Sequence, residues 1–171
     1  CSAMSHSFLG ESFDVHGGGA DLMFPHHENE VAQSTCAYGK GTFAAYWMHC
    51  GMLTVQGQKM SKSLGNFISM KEALENTPGE LIRYALLSTH YRHPLDWTEE
   101  TLPAARRSLD RFYCALKAAA MEDTIDSETV ETPAEMQKAL CDDLNTPLAL
   151  SVLHDYAKQI NNASSHTKKQ E

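Results

Sequence analysis

Lys59-Met60-Ser61-Lys62-Ser63 places two lysines and two serines in five residues, the set of groups that a transferring triphosphate needs. Ammonium groups act as point charges that follow phosphate oxygens as charge builds in a phosphoryl or nucleotidyl transition state. Serine hydroxyls add donors without bulk. Gly57 precedes the segment and Leu64-Gly65-Asn66 follows it, so a mobile loop rather than a helix is expected. On its own such a pentapeptide is an ordinary solvated turn; its upstream neighbours argue otherwise.

Those neighbours are His16-Gly17-Gly18-Gly19-Ala20-Asp21-Leu22-Met23-Phe24-Pro25-His26-His27-Glu28-Asn29-Glu30. Phe13 to His16 reads as a short strand, and the glycines after it let backbone approach a ligand closely. Pro25 suits the first turn of a helix, with acids following at its positive end. On that helix His26 and Glu30, four apart, share a face, whereas His27 and Val31 turn toward its flank. An imidazole nitrogen and a carboxylate oxygen on one face, with Cys1 upstream, are three candidate ligands for zinc. Alone, His26 and Glu30 are an ordinary helix-surface pair. Beside the glycine run, His27 and the lysine loop, they read as a site.

The elements that must position these residues fall into two parts. Residues 1 to about 55 read as α/β: a strand near Phe13, a helix from Pro25, and an apolar stretch from Tyr46 to Val55. Strand–helix–strand order fits the second half of a parallel nucleotide-binding sheet. Beyond the loop the chain turns helical. Ser69 with Glu72 is a capping-box pattern, and Thr77-Pro78-Gly79-Glu80 and Thr132-Pro133-Ala134-Glu135 are two more cap patterns. Thr98 opens a helix whose Leu102, Ala105, Leu109, Phe112 and Leu116 repeat at three and four as a core stripe. Thr146-Pro147 starts another, carrying Leu148, Val152, Tyr156 and Ile160. Asp142 and Asp143 read as serving that start rather than holding a metal. Residues 121–132 are acidic, threonine-rich and aperiodic, and read as a linker; the polar end from Ser164 is expected to fray.

In this order, the two chemical blocks closely resemble cysteinyl-tRNA synthetase, a class I aminoacyl-tRNA synthetase. Cys1-Ser2-Ala3-Met4, Lys59 to Phe67 and Cys141 to Ala149 extend the resemblance over most of the chain. It implies a Rossmann-like α/β fold, the C-terminal half of the catalytic domain, followed by an α-helical region. Residues 1–68 would be the catalytic half, 69–120 a helical stem-contact region, 121–132 the linker and 133–171 the start of a tRNA-binding helical domain. The implied reaction joins L-cysteine to tRNA(Cys) by way of cysteinyl adenylate. ATP would be bound with Mg²⁺, and one Zn²⁺ per monomer would select cysteine by its thiolate over serine. Family enzymes hold that zinc with two cysteines, a histidine and a glutamate. Carried over residue by residue, Cys1, His26 and Glu30 are three of these ligands. Lys62 is the ATP-contacting lysine, Lys59 its partner in stabilising charge, and Asp21 the acid near the substrate ammonium. His16, Gly17, Gly18 and His27 are placed on the nucleotide side.

The family's other signature, His-Ile-Gly-His, and the fourth zinc ligand lie upstream of the stretch matched by Cys1. A chain opening on cysteine therefore reads as a piece of a longer protein, expected to be a cytoplasmic monomer, and these 171 residues alone are expected to be inactive. Two rivals are a cysteine ligase of mycothiol synthesis, which joins cysteine to an amino sugar, and a noncatalytic tRNA- or zinc-binding remnant. The second acid of His26-His27-Glu28-Asn29-Glu30 and the C-terminal helices favour the synthetase.

Composition is consistent with this and decides little more. Hydrophobic content of 42% is globular, and no apolar run is long enough to span a membrane. The formal charge of −8 argues against nonspecific nucleic-acid binding. Arg106, Arg107 and Arg111 read as a solvated helix face. Five scattered cysteines suggest reduced thiols, with Cys36, Cys50, Cys114 and Cys141 as small core residues.

Overall fold

The computed structural model describes residues 1–41, 43–119 and 131–167, with the backbone alone for 164–167. Most of the expected linker therefore lies outside the described residues. The chain divides into two compact units, Cys1–Thr54 with Tyr91–Leu95, and Val55–His90 with Asp96–Glu171.

The first unit is a strand–helix–strand unit with a helix before it. Helix α1 (Ser2–Leu9) leads to β1 (Ser12–Gly19), which is longer than the expected strand and carries the three glycines within it. Helix α2 (Glu28–Tyr38) then crosses to β2 (Phe43–Cys50), which pairs parallel to β1 from Ser12↔Phe43 to Gly19↔Cys50. A helix between adjacent parallel strands is the unit from which doubly wound sheets are built. Rings hold the pair together. Phe43 is buried and meets Phe13 edge-on at 4.9 Å, with Trp47 at 5.8 Å.

The buried face of α2 is polar. His27, Glu30 and Ser34 are its inward residues, at spacings of three and four. This corrects the sequence reading of His27, which turns inward rather than to the flank. Pro25 lies in the wide turn Met23–His27 that precedes the helix, after an extended Phe24. Cys36, two positions beyond Ser34, is rotated about 200° away from it and is exposed. Cys50, Cys114 and Cys141 are exposed as well, so the expectation that these four are core residues is wrong.

Gly51 sets a tight backbone crossing in this unit. Its N–H donates to the Tyr91 carbonyl at 2.7 Å, and a Cβ there would lie 2.2 Å from the His93 carbonyl oxygen. Backbone cannot yield as a flexible side chain can. Gly51→Ala is expected to lower stability by roughly 2–4 kcal/mol, read as a lower denaturation midpoint. An unchanged midpoint would show that the crossing relaxes freely.

A small sheet has the order β4 (Gln58–Lys59), β3 (Leu53–Val55), β5 (Leu95–Trp97). The second unit is mainly helical, with α3 (Met70–Asn76), α4 (Gly79–Leu87), α5 (Thr101–Ala119), α6 (Ala134–Cys141) and α7 (Thr146–Thr167). Leu81, Ala85 and Ala105 form its core, with Tyr84, Trp97, Leu102 and Leu109 packed against them. Ala115, Ala139, Ala149 and Ala157 are buried where helices meet, since small residues let axes approach closely. The core stripe of α5 ends before Leu116, which is 61% exposed. On α7 the buried residues are Ala149 and Ala157, one position round from the expected Leu148 and Tyr156, both exposed. Helix α7 continues through Thr167, past the point where fraying was expected.

The caps are mixed. Ser69 and Glu72 form the reciprocal capping box. Pro78 and Pro133 occupy the N-cap positions of α4 and α6 without a side-chain cap, so the threonines before them do not cap. At α7 the cap is Asn145, whose Oδ1 accepts from the Leu148 N–H at 3.1 Å. Arg106, Arg107 and Arg111 are exposed as expected, and Arg107 pairs with Glu100.

His154 on α7 shares a hydrogen bond with the Tyr84 hydroxyl at 2.9 Å and packs on Phe112 at 4.5 Å. Burial lowers its pKa below the ordinary 6.5, reinforced by Arg111 and opposed by Asp155. The unfolded chain then binds more protons than the folded one between that lowered value and about 6.5, so stability falls as pH drops through this window. His154→Gln, which keeps a partner for Tyr84, is expected to flatten the acid side of a Tm–pH profile between pH 7.5 and 5. A profile of unchanged slope would exclude His154 as its source.

Candidate metal and nucleotide site

Helix α1 delivers Cys1. Ser2 Oγ donates to Gln33 Oε1 at 2.8 Å, and the His6 ring stacks on Tyr38 at 4.1 Å, so α1 runs beside α2 with its start near Glu30. Cys1 Sγ, a His26 ring nitrogen and a Glu30 oxygen then lie within 4.8 Å of one another. His26 Nε2 is 3.8 Å from Glu30 Oε1, near the roughly 3.5 Å that separates two ligand atoms of tetrahedral zinc. The one-face spacing of His26 and Glu30 is therefore realised, and Cys1 joins them.

Glu30 is only 3% exposed, an unusual setting for a carboxylate. Its Oε2 makes no hydrogen bond among the described residues, although His16 Nε2 lies 3.1 Å away. A buried carboxylate facing a thiol and two imidazoles fits a divalent cation, because the cation supplies the charge that burial otherwise leaves uncompensated. A second triad, His16, His27 and Glu30, shares the same acid. The set with Cys1 suits zinc better, since it offers sulfur, and Cys1 and His26 are exposed, leaving room for an incoming ligand.

His16 stands on β1 and His27 just before α2, their rings edge-on at 4.9 Å. His27 Nδ1 lies 2.9 Å from His49 Nε2. Burial lowers the His27 pKa, with a contribution from His16 and an opposing one from Glu30. The ring is thus neutral near pH 7, and one of the two facing nitrogens donates while the other accepts. Gly18 lies against that ring: a Cβ there would come within 2.6 Å of His27 Cε1. Asp21 sits exposed in the turn after β1, its carboxylate folded back toward Gly19. His49 and Trp47 escaped the sequence reading. Their only signal is alternation on β2, which cannot reveal a partner twenty-two residues away.

The lysine loop belongs to the second unit and folds around a short helical turn. Lys62–Leu64 form one 3₁₀ turn, capped by Ser61 Oγ accepting from the Leu64 N–H at 3.3 Å and closed by Gly65 at φ 67°. Asn66 fastens its base, with Oδ1 accepting from the Ser61 N–H at 2.8 Å and Nδ2 donating to the Lys59 carbonyl at 3.3 Å. Lys59 and Lys62 are both exposed, and Lys62 Nζ sits 5.5 Å from the Phe67 ring centre. The serines thus shape the turn, and the lysines carry the charge outward.

Parallel strands with a crossover helix, a glycine-bearing strand and a capped lysine turn are the parts of a class I synthetase catalytic domain. Residues 1–107 match the family of class I (C) tRNA synthetase catalytic domains, and residues 135–171 match the DALR domain. The chain belongs to the class I (C) tRNA synthetase family. It is 56% identical over 165 residues to a cysteine–tRNA ligase of Rhodospirillum rubrum, covering 96% of this chain and 35% of that protein. Against the cysteine–tRNA ligase of Ehrlichia canis it is 54% identical over 170 residues, 99% of this chain and 37% of the relative. The chain thus spans little more than a third of these relatives. Among solved structures, a LeuRS from Agrobacterium radiobacter K84, in a ternary complex with tRNA and LeuAMS, superposes with a TM-score of 0.62 at 19% identity. That match covers 88% of this chain and 23% of the LeuRS chain, a likeness of fold. No helix among the described residues is long and apolar enough to cross a membrane.

Proposed function

We propose that the protein containing this chain is a cysteine–tRNA ligase, converting L-cysteine and ATP to cysteinyl adenylate and then esterifying tRNA(Cys). The observation that carries the reading is the meeting of the Cys1 thiol, the exposed His26 and the buried Glu30 carboxylate at one point. These three residues would hold zinc, which when bound supplies a soft Lewis acid that prefers a substrate thiolate to a hydroxyl.

The chain's own residues do the rest. Asp21, exposed at the end of β1, holds the substrate ammonium. Gly17 and Gly18 present bare backbone to the nucleotide, with His16 beside them and the buried His27 behind. The cysteine carboxylate oxygen bonds to the α-phosphorus, and the bond to pyrophosphate breaks. Lys62, assisted by Lys59, stabilises the charge that moves onto the leaving oxygens. A ribose hydroxyl of the tRNA terminus next attacks the acyl carbon and AMP departs. Mg²⁺ accompanies ATP, neutralising phosphate charge. Residues 1–68 serve catalysis, 69–120 contact the acceptor stem, and 133–171 begin the tRNA-binding helices. The protein works as a cytoplasmic monomer.

The test is charging by the full-length protein, given ATP, Mg²⁺, radiolabelled cysteine and tRNA. Acid-precipitable cysteine on tRNA is expected. Cysteine transferred to an amino sugar and none to tRNA would favour the mycothiol-pathway ligase; label on neither would leave a noncatalytic remnant.

A further inference from the structure

The rings around Gly18 form a connected series that ends on the metal set. His49 lies beside Gly18 as its register partner across the parallel strand pair, near the carboxyl ends of both strands. Its Nε2 meets His27 Nδ1 at 2.9 Å. Trp47 backs the pair, near-parallel to His49 at 6.0 Å and tilted against His27 at 5.1 Å. His27, pinned between this partner and the Gly18 backbone, meets His16 edge-on, and His16 Nε2 lies 3.1 Å from Glu30 Oε2. The other oxygen, Oε1, faces His26.

We infer that His49 is a positioning residue: it locks the His27 ring, which seats His16 against one oxygen of Glu30 and leaves the other directed at the metal set. The inference rests on the metal reading above, but none of the residues it concerns is one of the three ligands except Glu30 itself. The physical reason is preorganisation. A buried carboxylate has two oxygens and can swing between them; a fixed imidazole on one side selects the orientation of the other. A buried histidine with a single polar partner has likewise one preferred ring flip and tautomer, and loses it with that partner. Glycine at position 18 is part of the device, because any side chain there would displace the ring.

Two substitutions in the full-length protein separate positioning from packing. His49→Leu keeps bulk and removes the nitrogen; His49→Gln restores a polar group near the same place. Zinc affinity is measured by competition with a chromogenic chelator, and the His27 tautomer by ¹⁵N shifts in histidine-labelled protein. The expected result is a roughly tenfold to hundredfold loss of zinc affinity in His49→Leu, with His49→Gln within about threefold of wild type. Wild-type His27 should show one tautomer, and His49→Leu a mixture. Equal zinc affinity in all three proteins, or equal loss in both variants, would overturn the inference. If His49→Leu does not fold, a mixed His27 tautomer in the wild type, or one lost in His49→Gln, overturns it, and a single tautomer kept in both supports it. Zinc affinity that follows position 49 in a protein unable to charge tRNA would sink the functional reading while upholding this one.

Discussion

Replacing Lys62 with alanine in the full-length protein is expected to slow cysteine-dependent ATP–pyrophosphate exchange by about a hundredfold to a thousandfold, with cysteine affinity within about threefold. One charged contact made to phosphate oxygens in the transition state is worth about 2.7–4 kcal/mol, and that energy appears in the rate. The turn itself should survive. Its cap is Ser61, its closing residue is Gly65, and its base is fastened by Asn66, none of which involves the lysine side chain. Among the described residues, the Lys62 side chain makes a ring contact to Phe67 and is exposed. Arginine should rescue poorly, because a planar fork cannot follow moving oxygens as a point charge does. Exchange unchanged in Lys62→Ala would return this segment to an ordinary solvated turn.

Glu30→Gln is the second large effect. The amide keeps the shape of a buried residue while removing the charge that two imidazoles and a thiol face. Zinc affinity is expected to fall by at least about a hundredfold, more than for any substitution at a residue that only orients a ligand. Metal per chain after passage through a chelator column, alongside pyrophosphate exchange, reads the result. Zinc retained at wild-type stoichiometry would mean that the acid is structural and that His26 and Cys1 meet beside it for another reason.

How much of this was legible in the sequence depends on the range of the interaction. His26 and Glu30 are four residues apart on a helix, and spacing alone places them on one face. The Ser69–Glu72 box and the parallel strand–helix–strand order are also local, and both are present. Cys1 could be offered as a ligand by residue type and by resemblance but not by spacing, because the contacts that bring it there, Ser2 with Gln33 and His6 with Tyr38, span more than thirty residues. The inward face of α2 was misread for a physical reason: His27, Glu30 and Ser34 are polar, and apolar periodicity cannot find a polar buried stripe. The cysteines failed in the opposite sense. Apolar character suggested burial, but at Cys114 the adjacent Ala115 is the buried residue, and near Cys36 the buried position belongs to Ser34. Pro78 and Pro133 took the N-cap positions themselves, so the preceding threonines have no cap to make.

The central claim, that these residues belong to a site that selects cysteine through a thiol-binding metal, is tested most directly by one comparison. ATP–pyrophosphate exchange by the zinc-loaded full-length protein is measured with cysteine and with serine at matched concentrations, before and after zinc removal. The account predicts exchange with cysteine at least about a thousandfold above serine, collapsing when zinc is removed and returning when it is restored. Equal exchange with the two amino acids, or exchange with cysteine that is indifferent to zinc, would contradict it.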